Sequence, residues 1–255
     1  MGKLIRILLL VVSVIVIAVV CAVTWWMLGA YRPDAAADAA LSGARDEGDW
    51  YEFSGDDGVG VVVYPGARVD AEAYAPLASA LSERTGATVA VVRAPLDFAL
   101  LNGGAADEVI AAHPDIERWI VAGHSLGGVA AAGYADENAG EVAGLLLWAS
   151  YPADGTDLSG DGLAVTSIYG SRDGVLDRRS LNGAKARLPD DTEFVEIEGM
   201  NHAQFGSYGV QEGDGTATLS DERARQEIVG ASGDLILSVE RGVTYEDHTA
   251  LSATR

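Results

Sequence analysis

The chain has 255 residues and a formal net charge of −21, with 38 acidic and 17 basic residues, of which only Lys3 and Lys185 are lysines. Such a surface repels polyanions, which excludes a nucleic-acid-binding role and disfavours anionic lipid headgroups. The single cysteine, Cys21, rules out an intrachain disulfide, and no clustered His/Cys set suggests a metal or cofactor.

Residues 1–6 carry Lys3 and Arg6 and read as a short cytoplasmic N-terminus. Ile7 through Leu28 form a run of 22 uncharged, mostly Leu/Ile/Val residues. A helix of that length crosses a hydrocarbon core about 30 Å thick. Trp25 and Trp26 stand near its far end, where interfacial aromatics belong, and the flanking charges favour an external C-terminal domain. A cleaved signal peptide is the competing reading, but the run is long for one and no small-x-small site follows closely. Cys21 is preceded by Val20 rather than by the small residue of a lipoprotein site. The expectation is a single-pass cell-membrane protein held by a signal-anchor helix.

Residues 29–49, rich in Ala, Asp and Gly, read as a linker or leading helix. The remainder suffices for one sizeable core, expected over residues 50–238, with a polar tail over 239–255. Within that domain Trp50–Phe53 suits an edge strand, and Val59–Tyr64, closed by Pro65-Gly66, a buried one. Helical spacing follows over 70–85, then a strand at 88–92, a helix at 105–112 and a strand at 119–122. A small-residue helix is expected over about 126–138, with strands at 145–150, 164–169 and 193–197. A helix at about 220–233 closes the pattern, with Leu235-Ile236-Leu237 extending it or packing after it. Apolar strands alternating with helices predict an α/β fold with a mostly parallel sheet covered on both faces.

Gly123-His124-Ser125-Leu126-Gly127-Gly128 stands between a buried strand and a helix. A G-x-S-x-G turn in that setting holds the serine hydroxyl above the sheet as a nucleophile. A neutral hydroxyl needs a base. His202 follows the last strand and is carried to the same sheet end. His124 belongs to the turn itself, His113 reads as structural or exposed, and His248 lies in the polar tail. Asp173, just beyond the strand at 164–169, is the preferred third member, with Asp177 as rival. Asp154, Asp157 and Asp161 read as turn residues. The order Ser125, Asp173, His202 fits a triad of this topology. Oxyanion donors are expected at the N–H of Leu126 and of Ala67, with Gly66 the alternative to Ala67. Arg68 suits either a substrate carboxylate or a salt bridge to Asp70 or Glu72.

These stretches, with Val63–Asp70, Leu147–Pro152, Ile168–Gly174 and Asn201–Gly209, resemble the α/β-hydrolase superfamily from about Trp50 to Leu237. More closely the chain is similar to the compact α/β-hydrolase fold-5 branch, related to dienelactone hydrolase-like proteins. The resemblance implies the α/β-hydrolase fold, nucleophile Ser125, acid Asp173, base His202 and an oxyanion hole near Gly66, Ala67 and Leu126. Dienelactone hydrolases proper use cysteine, so Ser125 points to a general serine hydrolase. Met200 replaces a glycine of many relatives.

Tyr151–Gly162 is too short for a large lid, so the lid is minimal and the site open, roofed by Pro95–Phe98 and Phe205–Thr216. Leu96, Phe98 and Phe205 are candidate substrate contacts beside Arg68. The expected activity is carboxylic-ester hydrolysis of small or medium acyl substrates without cofactor or metal. The alternatives are an amidase or peptidase using the same triad, and a membrane-tethered, non-catalytic binding module. The sequence names no protein partner.

Overall fold

A computed structural model describes residues 2–56, 58–160 and 162–242. His248, Asp161 and most of the expected tail lie outside them. The apolar N-terminal run is one helix, α1 (Gly2–Leu28), long and apolar enough over Gly2–Thr24 to cross a bilayer. A short helix, α2 (Ala35–Leu41), follows, its first N–H groups capped by Asp34.

Eight strands form one sheet: β1 (Arg45–Asp46), β2 (Trp50–Phe53), β3 (Val59–Tyr64), β4 (Thr88–Val92), β5 (Arg118–His124), β6 (Val142–Trp148), β7 (Ala164–Gly170) and β8 (Glu193–Ile197). Their order is β1-β2-β4-β3-β5-β6-β7-β8. The pairs from β4 to β8 are parallel, while β1 and β2 run antiparallel at one edge. β1 is an addition to the pattern read from the sequence, in which residues 29–49 contain no strand. Its two residues pair Arg45 with Glu52 and Asp46 with Tyr51.

The strand period of two divides the core. Val61, Val63, Ile120, Leu146, Trp148 and Ile168 face α3 (Ala75–Thr85) and α7 (Asp221–Glu240). Val62, Tyr64, Val121, Leu145 and Leu147 face α4 (Ala105–Ala112) and α5 (Leu126–Glu137). Each fully buried side chain of this size contributes about 1.5–3 kcal/mol, so the two layers hold the sheet rigid beneath its loops.

Several elements differ from the sequence pattern, among them β6, expected over 145–150 and found at Val142–Trp148. The expected helix over 70–85 splits into a 3-10 turn at Ala71–Tyr74 and α3. Pro76 causes this, because it has no N–H to give to the preceding turn. A further helix, α6 (Arg178–Ala184), starts on Asp177 and has too few apolar residues to show a period. α7 runs on to Glu240, two residues into the expected tail.

Candidate active site

Parallel strands deliver their following loops to one end of the sheet, and the candidate residues converge there. Ser125 sits between β5 and α5 with φ 53° and ψ −122°, outside the ordinary regions for a side-chain-bearing residue. Glycine makes the turn feasible. A Cβ on Gly127 would stand 2.1 Å from the Tyr64 carbonyl oxygen, and one on Gly123 2.3 Å from the Gly127 backbone. The Ser125 N–H donates to the Trp148 carbonyl (2.9 Å), and the Ser150 hydroxyl donates to the Ser125 carbonyl (2.6 Å). The turn is therefore pinned to β6, and Ser125 itself stays half-exposed.

Asp173 and His202 come from the loops after β7 and β8. These loops are zipped together by the Ser171 N–H to the Ile197 carbonyl and the Arg172 N–H to the Met200 carbonyl. Met200 fills core space here, fully buried. His202 Nδ1 and Asp173 Oδ2 lie 2.8 Å apart, with side chains 1% and 0% exposed. The other Asp173 oxygen accepts the N–H groups of Val175 (2.9 Å) and Leu176 (2.8 Å). Burial opposes ionisation of Asp173, but the His202 hydrogen bond and charge and those two N–H groups outweigh it, holding the carboxyl below its usual range. An ionised Asp173 only accepts, so Nδ1 of His202 carries the proton. Nε2 is then the bare nitrogen, and it is buried with no hydrogen-bond partner among the described residues. The rival Asp177 instead caps α6, accepting from the Arg179 N–H and the Ser180 hydroxyl.

The loop after β3 carries the candidate oxyanion donors. Gly66 is not free to serve, since its N–H donates to the Tyr74 hydroxyl at 2.8 Å. No acceptor among the described residues takes the N–H of Ala67 or Leu126. The Tyr74 hydroxyl in turn lies 2.8 Å from Nδ1 of His124. Burial keeps the phenol protonated, so it donates to that nitrogen. Burial, then the neighbouring His202, pushes the His124 pKa well below its ordinary value, so His124 is a neutral packing ring. It lies 4.5 Å from the His202 ring and stacks at 5.3 Å on Phe205, which stacks on Trp148.

Phe205 is only 1% exposed and packs beneath the histidines, so it does not offer the substrate contact expected of it. Arg68 packs on the chain leaving α1 rather than on Asp70 or Glu72. Its guanidinium donates to the Gly29 carbonyl and lies over the rings of Trp26 (5.2 Å) and Tyr31 (5.8 Å), while Asp70 pairs with Arg32. Leu96 is 44% exposed at the rim, and Phe98 packs edge-on against Trp26. His113 is structural, joining the Val109 carbonyl to the buried Glu52.

Sequence reasoning missed Asp214. Oδ1 accepts the N–H groups of Gly174 (3.1 Å), His202 (3.1 Å) and Gly215 (2.7 Å), and Oδ2 accepts that of Ala203 (2.8 Å). One carboxylate thus ties the loop of the candidate acid to the loop of the candidate base. The only sequence signal is an aspartate flanked by Gly213 and Gly215.

Comparison with known proteins agrees with this fold. The alpha/beta hydrolase family (Abhydrolase_5) matches residues 60–226. No curated protein matches the chain. Among solved structures, a Paleococcus ferrophilus monoacylglycerol lipase is 14% identical with a TM-score of 0.57, over 73% of this chain and 98% of its own. A putative alpha/beta hydrolase from Agrobacterium tumefaciens is 17% identical with a TM-score of 0.57, over 76% and 92%. An alpha/beta hydrolase enzyme from the sediment metagenome of the Mar Chica lagoon, Morocco, is 19% identical with a TM-score of 0.52, over 63% and 90%. At these identities the likeness is one of fold.

Proposed function

The chain belongs to the alpha/beta hydrolase family, and within it we propose a serine hydrolase that cleaves carboxylic esters of small or medium acyl chains. The observation that carries this reading is the buried 2.8 Å pair of His202 Nδ1 and Asp173 at the same sheet end as the positive-φ Ser125. With the Nδ1 proton fixed by Asp173, Nε2 accepts the Ser125 proton as Oγ bonds to the ester carbonyl carbon. The N–H groups of Leu126 and Ala67 receive the oxyanion. The carbon–oxygen bond to the alcohol breaks, and His202 returns the proton to that oxygen. Water, deprotonated by His202, then attacks the acyl-enzyme and releases the acid and free Ser125. No metal or organic cofactor enters this sequence.

On the same reading residues 7–28 are a membrane anchor, with residues 1–6 cytoplasmic. Residues 29–49 join it to an extracytoplasmic catalytic domain at 50–238, and 239–255 are a tail. Residues 151–160 and 162–163 form neither helix nor strand, which supports a minimal lid. The kinship with dienelactone hydrolase-like proteins rests on shared motifs alone, and Ser125 in place of cysteine argues for general ester hydrolysis.

The test is labelling with a fluorophosphonate probe and turnover of short-chain p-nitrophenyl esters, each with Ser125→Ala as control. Labelling and turnover lost together in the variant are expected. Folded protein that neither labels nor turns over ester would overturn the reading in favour of a binding module. Labelling with cleavage of amides alone would replace esterase by amidase.

A further inference from the structure

The end of α1 is built into the loop cluster that carries the candidate site. The Trp26 indole N–H donates to the Leu96 carbonyl (3.0 Å), and its ring packs on Phe98. Three residues past α1, Tyr31 pairs with the candidate oxyanion loop. Its N–H donates to the Arg68 carbonyl (2.6 Å), and its own carbonyl accepts the Asp70 N–H (3.2 Å). The Tyr31 ring lies 5.4 Å from that of Tyr208, and the Asp34 N–H reaches the Ser207 carbonyl (2.8 Å). Residues 26–34 therefore touch the loops after β3, β4 and β8. From Leu28 to Tyr31 the chain spans at most about 11 Å at full extension, so the domain cannot swing its opposite end toward the bilayer.

A second observation is independent of the anchor. Outside α1, the large apolar side chains that stay exposed among the described residues are Leu96, Leu100, Leu101, Val175 and Val210. The first three follow β4, Val175 follows β7 and Val210 follows β8. All five lie at the carboxyl end of the sheet, around the site. Scattered exposed leucines need no explanation, but exposed apolar groups confined to one end mark a surface that something covers. Here the covering surface is continuous with the membrane helix.

We propose that the catalytic face rests against the bilayer, with Leu101 and Val210 entering the interface, and that the substrate is a membrane-resident amphiphilic ester. This rests on the serine-hydrolase reading and on α1 spanning the membrane. The acidic chain and the carboxylates near the rim, Asp97, Glu212 and Asp214, favour uncharged or zwitterionic headgroups over anionic ones. Within esters of small or medium acyl chains, the substrate class narrows to amphiphiles whose acyl chain a short-lidded site admits from the lipid side.

The test uses the full chain, with Cys21→Ala, reconstituted in phosphatidylcholine vesicles. Leu101→Cys, Val210→Cys and, at the opposite end of the sheet, Glu141→Cys are each labelled with an environment-sensitive fluorophore. Lipid-borne spin labels should quench the first two and spare the third. Absence of quenching at 101 and 210, or equal quenching at 141, overturns the orientation whether or not the protein is an enzyme. Extraction of the chain by alkaline carbonate would overturn the spanning helix beneath it. For substrate class, Leu100→Asp and Leu101→Asp should lower hydrolysis of a vesicle-borne medium-chain monoacyl ester by about tenfold, because charge is costly at an interface, while p-nitrophenyl acetate turnover stays unchanged. Equal losses on both substrates, or none on the vesicle-borne ester, overturn membrane delivery while leaving the hydrolase reading intact. Failure of fluorophosphonate labelling and of p-nitrophenyl acetate turnover in the parent protein would instead defeat the hydrolase reading, and with it the substrate claim.

Discussion

Asp214 offers the sharpest test of how the candidate site is held, because it lies outside the proposed triad and binds no side chain of it. Truncation by Asp214→Ala removes the acceptor for four backbone N–H groups. The bond to Gly215 is to its own neighbour and holds nothing in place. The bonds to Gly174, His202 and Ala203 join two loops that are otherwise distant in sequence. Hydrogen bonds to a charged group contribute about 1.5–3 kcal/mol each. The Gly174 bond is exposed and the three share one carboxylate, so they do not add fully. A loss of about 2–4 kcal/mol is expected, a large part of the roughly 5–15 kcal/mol that keeps a domain folded.

The assay is urea unfolding of the detergent-solubilised full chain, followed by tryptophan fluorescence, of which the buried Trp148 is a core reporter. With a urea dependence of about 3 kcal/mol/M, the midpoint should fall by about 1 M. Turnover of p-nitrophenyl ester should also fall, by about 10–100-fold with little change in KM, since a displacement of about 1 Å between catalytic groups is that costly. Asp214→Asn discriminates further. Its amide oxygen can take the Oδ1 position and keep the bonds to Gly174 and His202. Its NH2 group would then face the Ala203 N–H, donor against donor, so this variant should fall between wild type and alanine. An alanine variant with unchanged midpoint and unchanged turnover would refute the argument.

Three further outcomes follow from the same geometry. Asp173→Asn should lower kcat by about 10³–10⁴-fold with KM nearly constant, because the amide no longer fixes the His202 tautomer; steady-state kinetics on p-nitrophenyl esters reads it, and a loss under tenfold would remove Asp173 from the triad. Gly127→Ala should destabilise by about 3 kcal/mol or more, since the new methyl meets the fixed carbonyls of Tyr64 and Pro65 rather than a movable side chain; a thermal melt within a few degrees of wild type would contradict it. Finally, His124 is held neutral in the fold, its pKa well below the ordinary value of about 6.5. Below that pH the unfolded chain takes a proton that the folded chain refuses, so stability falls with pH by up to about 1.4 kcal/mol per unit. His124→Asn should flatten the pH 6.5–5 slope by one proton in denaturation titrations. The depressed Asp173 carboxyl acts in a lower window: its contribution is present above about pH 4 and is lost as pH falls through the folded-state value.

What could be read from the sequence divides by the range over which the physics acts. The buried strands were legible because Val59–Tyr64 and Leu145–Trp148 are continuous apolar runs, and a strand enclosed on both faces has no other composition available. The Ser125 turn was legible because the tight passage of β5 over α5 forces glycine at Gly123 and Gly127 within four residues of each other. Asp173 and His202 followed from topology, since parallel strands send their loops to one end. None of these steps needed a side-chain direction. Where direction mattered, the sequence was silent. A salt bridge from Arg68 to Asp70 or Glu72 is the local reading, yet its guanidinium turns to the Gly29 carbonyl and the Trp26 ring, a partnership set by how the chain leaves α1. Phe205 stands in the loop beside His202 like a substrate contact, but its ring points inward to stack under His124.

The supports that sequence left invisible are bonds to backbone, and this accounts for their invisibility. Asp214 answers N–H groups of Gly174, His202 and Ala203, and Tyr74 answers that of Gly66. Every residue but proline carries an N–H, so nothing in the partner's identity betrays the bond. The Tyr74 hydroxyl shows what such a bond decides. By taking the Gly66 N–H it occupies one of the two candidate donors of that loop. By donating to Nδ1 of His124 it also sets the tautomer of the ring that packs against His202. One phenol therefore couples the loop after β3 to the ring beside the proposed base, and it engages the Gly66 N–H while no acceptor among the described residues takes that of Ala67.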